Sequence, residues 1–139
     1  MTATRVPLTS PVNDPLAGSA SSDEQNSVRH RLNAERASTL HRIASLTRQF
    51  DAIVESSALT TNDDEHDPEG STVAFERAQV GTLLAGAKRH LIAVDQAVTR
   101  FLNGSYGVCE RCGQAIAQER LAALPAVGAC IGCTTHVRR

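Results

Sequence analysis

The chain's four cysteines stand as two pairs, Cys109-x2-Cys112 and Cys130-x2-Cys133, with seventeen residues between them. A C-x2-C loop turns back so that both thiolates point at one centre, and two such loops supply the four tetrahedral sulfurs that a structural Zn²⁺ takes at about 2.3 Å. No cysteine is left over. Gly113 after the first pair and Gly132 within the second stand where a turning backbone profits from the lack of a Cβ. Other uses of such cysteines compete. Disulfides belong to oxidising compartments, and the start of the chain does not resemble a signal peptide. A catalytic zinc keeps three protein ligands and an open position for water, whereas four cysteines close the sphere. A nucleobase deaminase would need Pro where Ala129 precedes Cys130. A thiol switch that gives up its metal on oxidation stays open, because it turns on thiolate exposure.

These thiols need elements to carry them, and the rest of the chain is built for helices. Its 139 residues include three Phe, one Tyr and no Trp, so the core must be small and made of Ala, Leu and Val. The formal net charge of −1 gives no bulk pull toward nucleic acid. No apolar run approaches the roughly 20 residues that span a bilayer, so a soluble, cytoplasmic protein is expected. Residues 1–26 carry Pro7, Pro11 and Pro15 among many Ser and Thr without apolar periodicity, and read as a disordered arm.

Residues 27–103 read as an antiparallel coiled-coil hairpin. From Ser27 to Ala58 there is no Pro or Gly, and Leu32, Leu40, Ile43, Leu46, Phe50 and Ile53 recur at helical spacing. A second helix follows in which Val73, Arg77, Val80, Leu84, Ala87, Leu91, Val94, Val98 and Phe101 step by four and three, and eight of those nine are apolar. Gly81 and Gly86 interrupt it at a cost of about 1 kcal/mol each relative to Ala, so packing must hold this helix. At roughly thirty residues apiece the helices would each be about 45 Å long. Their connection, 59–70, is too short for anything but an antiparallel pair. Asn103-Gly104 is a plausible stop, after which 104–139 form the zinc head and a short tail. The expected fold is thus mainly α: a long helical hairpin with an acidic tip, tied at its open end by a C4 zinc finger.

The tip is the second candidate site. Asp63, Asp64, Glu65, Asp67 and Glu69 place five acids within seven positions. Part of this is ordinary helix-start chemistry: Asp67 can cap, Pro68 suits the first helical position and Glu69 favours the positive end of the dipole. Asp63, Asp64 and Glu65 are not needed for that, and like charge crowded at an exposed turn points to a cation, a basic protein or a metal as partner. His66 beside them reads as a solvated loop histidine. Arg29, Arg31, Arg36, Arg42 and Arg48 give helix one a basic side, by default a solvated face.

Tyr106-Gly107-Val108-Cys109-Glu110-Arg111-Cys112-Gly113-Gln114-Ala115-Ile116, then Arg120-Leu121, Pro125 and Cys130-Ile131-Gly132-Cys133, resemble the finger of the DksA/TraR family of bacterial C4 zinc-finger transcription regulators. Glu65-His66-Asp67-Pro68-Glu69-Gly70 with Ala74-Phe75-Glu76-Arg77-Ala78-Gln79 resemble the branch of that family found in actinobacteria. The resemblance implies a head formed by the finger and flanking helices, a projecting coiled coil, and one structural zinc on Cys109, Cys112, Cys130 and Cys133. It implies bacterial RNA polymerase as partner, with the coiled coil in its secondary channel. The tip acids Asp63, Asp64, Asp67 and Glu69 would then lie near the catalytic Mg²⁺ and retune initiation, in some members with guanosine tetraphosphate at a shared site. Asp64-x-x-Asp67 resembles the family's Asp-x-x-Asp-x-Ala signature, with Glu69 in the place of Ala. Leu124 stands where a basic residue is common before the Pro, and Ala122 where an acid is common.

Two other function classes compete: a DNA reader that uses the zinc module, and a zinc-stabilised or redox-responsive interaction protein with no polymerase role. The first lacks an extended basic recognition helix, since Arg111 and Arg120 alternate with Glu110 and Glu119. An enzyme is not expected, for want of a phosphate-cradling Gly motif, a nucleophile with a base, or an open metal site. Sequence-specific DNA contact, a membrane and a second copy of the chain are not expected as partners.

Overall fold

Two helices dominate: α1, Ser22–Leu59, and α2, Pro68–Leu102. Short α3, Gln118–Ala123, and α4, Ile131–Thr135, follow in the C-terminal head. The structure, a computed structural model, describes residues 21–59 and 68–136, with side chains from 70 onward in the second stretch.

Helix α1 starts five residues earlier than the periodicity of its apolar residues places it. Ser21 and Glu24 explain this. The Glu24 N–H donates to Ser21 Oγ at 3.3 Å and the Ser21 N–H to Glu24 Oε2 at 3.0 Å, a reciprocal capping box that satisfies two donors at the helix start. Ser22–Asn26, read as part of the arm, are therefore helical, while residues 1–20 lie outside the described residues. Helix α2 opens on Pro68, whose missing N–H costs nothing there. It closes at Gly104, φ 78°, where Gly104 N–H donates to Phe101 O at 3.2 Å and Ser105 N–H to Arg100 O at 2.9 Å. That pair of bonds around a left-handed glycine is a Schellman stop, as Asn103-Gly104 suggests. At 38 and 35 residues the helices are about 57 and 52 Å long, longer than the expected 45 Å.

α1 and α2 pack antiparallel along a seam of threes and fours. On α2 every apolar member from Val73 to Phe101 is at least half-buried, and Arg77 is exposed. On α1 one assignment changes. Leu40 is 40% exposed, and Thr39 is buried at 5%. The spacing that joins Leu32 to Ile43 and Leu46 passes through 36 and 39, so Leu40 falls beside the seam. Thr39 is tolerated because its hydroxyl donates to Glu35 O at 2.7 Å. Arg36 Nε to Asp95 Oδ1 at 2.7 Å and His90 Nε2 with Glu35 Oε1 at 2.6 Å pin the register from the rim of the seam.

Burial is uneven along the hairpin. Leu32, Leu46, Ala87, Val94 and Ala97 are its buried apolar residues, and none lies in 47–59 or 70–86, the stretches that lead to the turn. Toward the turn the same spacing yields only half-buried side chains, such as Ile53, Val73 and Val80. Of the two helical glycines, Gly81 has a packing reason: a Cβ there would lie 3.4 Å from the Phe50 ring. Gly86 has none, and it opens a groove of about 250 Å³ beside Glu35, Arg42 and His90.

Candidate metal centre

The head is built around the cysteines. Cys109, Ile116 and Leu121 form its buried core, with Tyr106, Val127, Ala129, Cys130 and Cys133 packed against them. The first loop is shaped by an isolated antiparallel bridge between Val108 and Ala115, by Cys109 N–H donating to Gln114 O at 2.8 Å, and by Gly113 N–H donating to Cys109 O at 2.9 Å. Gly113, φ 72°, makes the reversal that an L side chain resists. Gly132 does not play that part: it lies inside α4 with no positive φ, so the second pair is closed by a helical turn in which Thr134 N–H donates to Cys130 O at 3.0 Å.

All four Sγ atoms lie within 4.8 Å of one another, and Cys112 and Cys130 are 3.7 Å apart. A tetrahedron with bonds of about 2.3 Å has edges of about 3.8 Å, so the cluster has the size that zinc requires. Its electrostatics point the same way. The Cys130 N–H, 3.3 Å from Cys109 Sγ, leads the backbone donors that lower the Cys109 thiol to about 6. Hydrogen bonding from the Cys112 and Cys130 sulfurs pushes Cys133 up to about 12. Four thiolates cannot share this space on their own; a divalent cation supplies the opposing charge that lets all four ionise.

The side chains around the cysteines are tied to the same frame. The Tyr106 hydroxyl donates to Pro125 O at 2.8 Å. Arg120 Nε donates to Ala129 O and its Nη2 to Thr134 Oγ1, both at 3.1 Å, which braces the second pair from α3. Arg111 Nη1 reaches Cys133 O at 3.5 Å. One residue escaped the sequence reading. Arg100, in the last turn of α2, is buried and donates to Glu110 Oε1 at 3.3 Å, Ala126 O at 3.3 Å and Val127 O at 3.4 Å. Next to it Phe101 and Tyr106 meet edge to face at 6.4 Å, and the Arg29 guanidinium lies 5.9 Å over the Phe101 ring. Nothing in a one-dimensional pattern separates Arg100 from solvated arginines.

The structure thus brings the four cysteines together. Of the tip, Asp63, Asp64, Asp67 and His66 lie outside the described residues, and Glu69 is the second residue of α2. Among the described residues no helix is long and apolar enough to cross a membrane, and no second cluster of metal-ligating side chains is present.

Comparison with known proteins agrees with the geometry. Residues 104–135 match the family model of the prokaryotic dksA/traR C4-type zinc finger. An uncharacterised protein of Aquifex aeolicus (strain VF5) is 41% identical over 46 residues, a stretch that covers 33% of this chain and 32% of that protein. The structure of transcription factor DksA2 from Pseudomonas aeruginosa is similar over 90% of this chain and 91% of its own, with a TM-score of 0.70 and 22% identity. The finger carries one structural zinc on its four cysteines. The finger at 104–135 is thus of the prokaryotic dksA/traR C4 type, and it is set on a helical hairpin with the fold of DksA2.

Proposed function

We propose that the protein is a transcription regulator that binds bacterial RNA polymerase, inserts its hairpin into the secondary channel and presents the acidic turn near the catalytic Mg²⁺. The observation that carries the proposal is the union, in one chain, of a dksA/traR finger with a hairpin of the DksA fold that has four acids in its connection and a fifth, Glu69, in the first turn of α2. Two helices of about 50 Å held at one end form a probe that can reach into a narrow channel. Arg36–Asp95 and Glu35–His90 keep the pair in register between head and turn.

No covalent step is needed. An effector of this kind shifts a conformational equilibrium by its differential affinity for two states, here promoter complexes that do or do not tolerate the tip. Asp63, Asp64, Asp67 and Glu69 would act through charge, by repelling substrate phosphates or attracting the metal and nearby basic groups. The zinc contributes folding free energy at the base of the hairpin and takes no part in chemistry. Some members of the family act with guanosine tetraphosphate at a site shared with polymerase, and this chain departs from them there at Ala122 and Leu124; the cytoplasm is the expected compartment.

Co-purification with core polymerase tests the first half of this reading. Asp64→Asn combined with Asp67→Asn tests the second: the double variant should still bind polymerase and lose its effect on transcription in a purified system. An unchanged transcriptional effect would remove these acids from the mechanism, and a failure of the parent protein to bind polymerase would remove the function.

A further inference from the structure

We infer that Arg100 is a positioning residue that couples the metal centre to the hairpin, so that zinc occupancy sets the order of the last turns of α2. The Arg100 side chain is 10% exposed, and a charge so buried must be matched by acceptors. Its acceptors come from two separate parts of the finger. Glu110 lies between Cys109 and Cys112, whereas Ala126 and Val127 lead into Cys130. Those two parts touch through the Glu110 N–H, which donates to Gly128 O at 2.9 Å, and through the sulfurs.

Gly128 shows how closely the clasp is built. A Cβ at this position would run into the Glu110 carboxylate and would stand 3.4 Å from the Arg100 guanidinium carbon. Three segments therefore converge on one guanidinium, and its acceptors stay adjacent only while the two cysteine pairs are held together. When the pairs part, a buried charge loses its partners and the end of α2 must open to hydrate it. By linkage the effect is reciprocal: order at the end of α2 strengthens zinc binding by the factor by which zinc strengthens that order. Arg120 differs, because both its acceptors, Ala129 O and Thr134 Oγ1, belong to the second pair's own segment. The coupling is a property of the fold and does not depend on the polymerase reading.

Hydrogen exchange of the amides of 97–103 in the full-length protein, with zinc bound and after chelation, tests the inference. In the parent, chelation should speed exchange there by at least about 5-fold, the lower end of ordinary coupling between sites. Loaded Arg100→Met should exchange in this segment as fast as the chelated parent, bind zinc more weakly by the same factor, and show little further response to chelation. Gly128→Ala, which leaves the hairpin sequence untouched and turns the Glu110 carboxylate away from Arg100, should shift the same readouts in the same direction by a smaller factor, because Ala126 O and Val127 O remain as acceptors, and it decides the matter if Arg100→Met does not fold. Arg120→Met should weaken zinc binding and keep the parent's response at 97–103. A parent segment indifferent to chelation, or an Arg100→Met or Gly128→Ala protein that responds as the parent does, would overturn the inference.

Discussion

Truncating one seam residue at each end of the hairpin should give very different costs, and the difference can be worked from burial. Leu32 is 1% exposed, within the buried part of the seam near the head. Leu32→Ala removes three carbons, about 2.4 kcal/mol of transfer free energy at roughly 0.8 kcal/mol each. A helix pair cannot collapse fully around the gap, so the residual cavity brings the expected loss to about 3–5 kcal/mol. Val73, on the same spacing near the turn, is only half-buried. Val73→Ala removes two carbons that keep much of their contact with water, for a cost of about 0.8 kcal/mol. Urea unfolding followed by circular dichroism at 222 nm, at one fixed excess of zinc so that the metal's contribution is constant, measures both. Similar losses for the two variants, or a loss below about 1.5 kcal/mol for Leu32→Ala, would refute a hairpin anchored at its base.

Three further outcomes follow from single sites. Thr39→Val should raise stability by up to about 1 kcal/mol, because the buried hydroxyl bonds only to Glu35 O of its own helix; a loss of that size in thermal unfolding would mean the hydroxyl does more. Gly113→Ala should weaken the finger by about 1–2 kcal/mol, read as a fall in zinc affinity, since φ is 72° and the strain is in the backbone alone, with nothing within 4 Å of the new Cβ. Zinc affinity should rise with pH across the neutral range, because Cys133, pushed up to about 12, must give its proton to the metal's competition. As pH falls through about 6 the Cys109 thiolate protonates as well, so the dependence of log affinity on pH should steepen by about one proton below that point. Competition with a chromophoric chelator measures it, and a dependence that flattens below pH 6 would contradict the assignment.

Much of this molecule is written locally in its sequence. The C-x2-C pairs need only short-range geometry, and the seam of α2 is legible because strict spacing leaves one face to bury. The stop at Asn103-Gly104 is likewise a local signal with a local cause. Helix α1 was legible only in part. Its true seam runs through Thr39, and a reading that follows apolar types alone steps onto Leu40. Its start depends on Ser21-x-x-Glu24, a capping box lying in a stretch whose composition otherwise resembles the arm. Gly132 looked like a turn residue beside a cysteine and proved to be helical. Arg100 was not legible at all. Its burial arises because two loops fold over the end of α2, a tertiary event that leaves no periodic trace.

The tip carries the functional claim, and it can be addressed where it would act. A photo-crosslinking amino acid placed at position 66, between Asp64 and Asp67, should form an adduct with core RNA polymerase on illumination of the zinc-loaded protein. Peptide mapping should place that adduct on polymerase residues lining the secondary channel beside the catalytic Mg²⁺, and excess unlabelled protein should suppress it. Adducts confined to the outer surface of polymerase, or none at concentrations at which the two proteins co-purify, would contradict insertion of the hairpin.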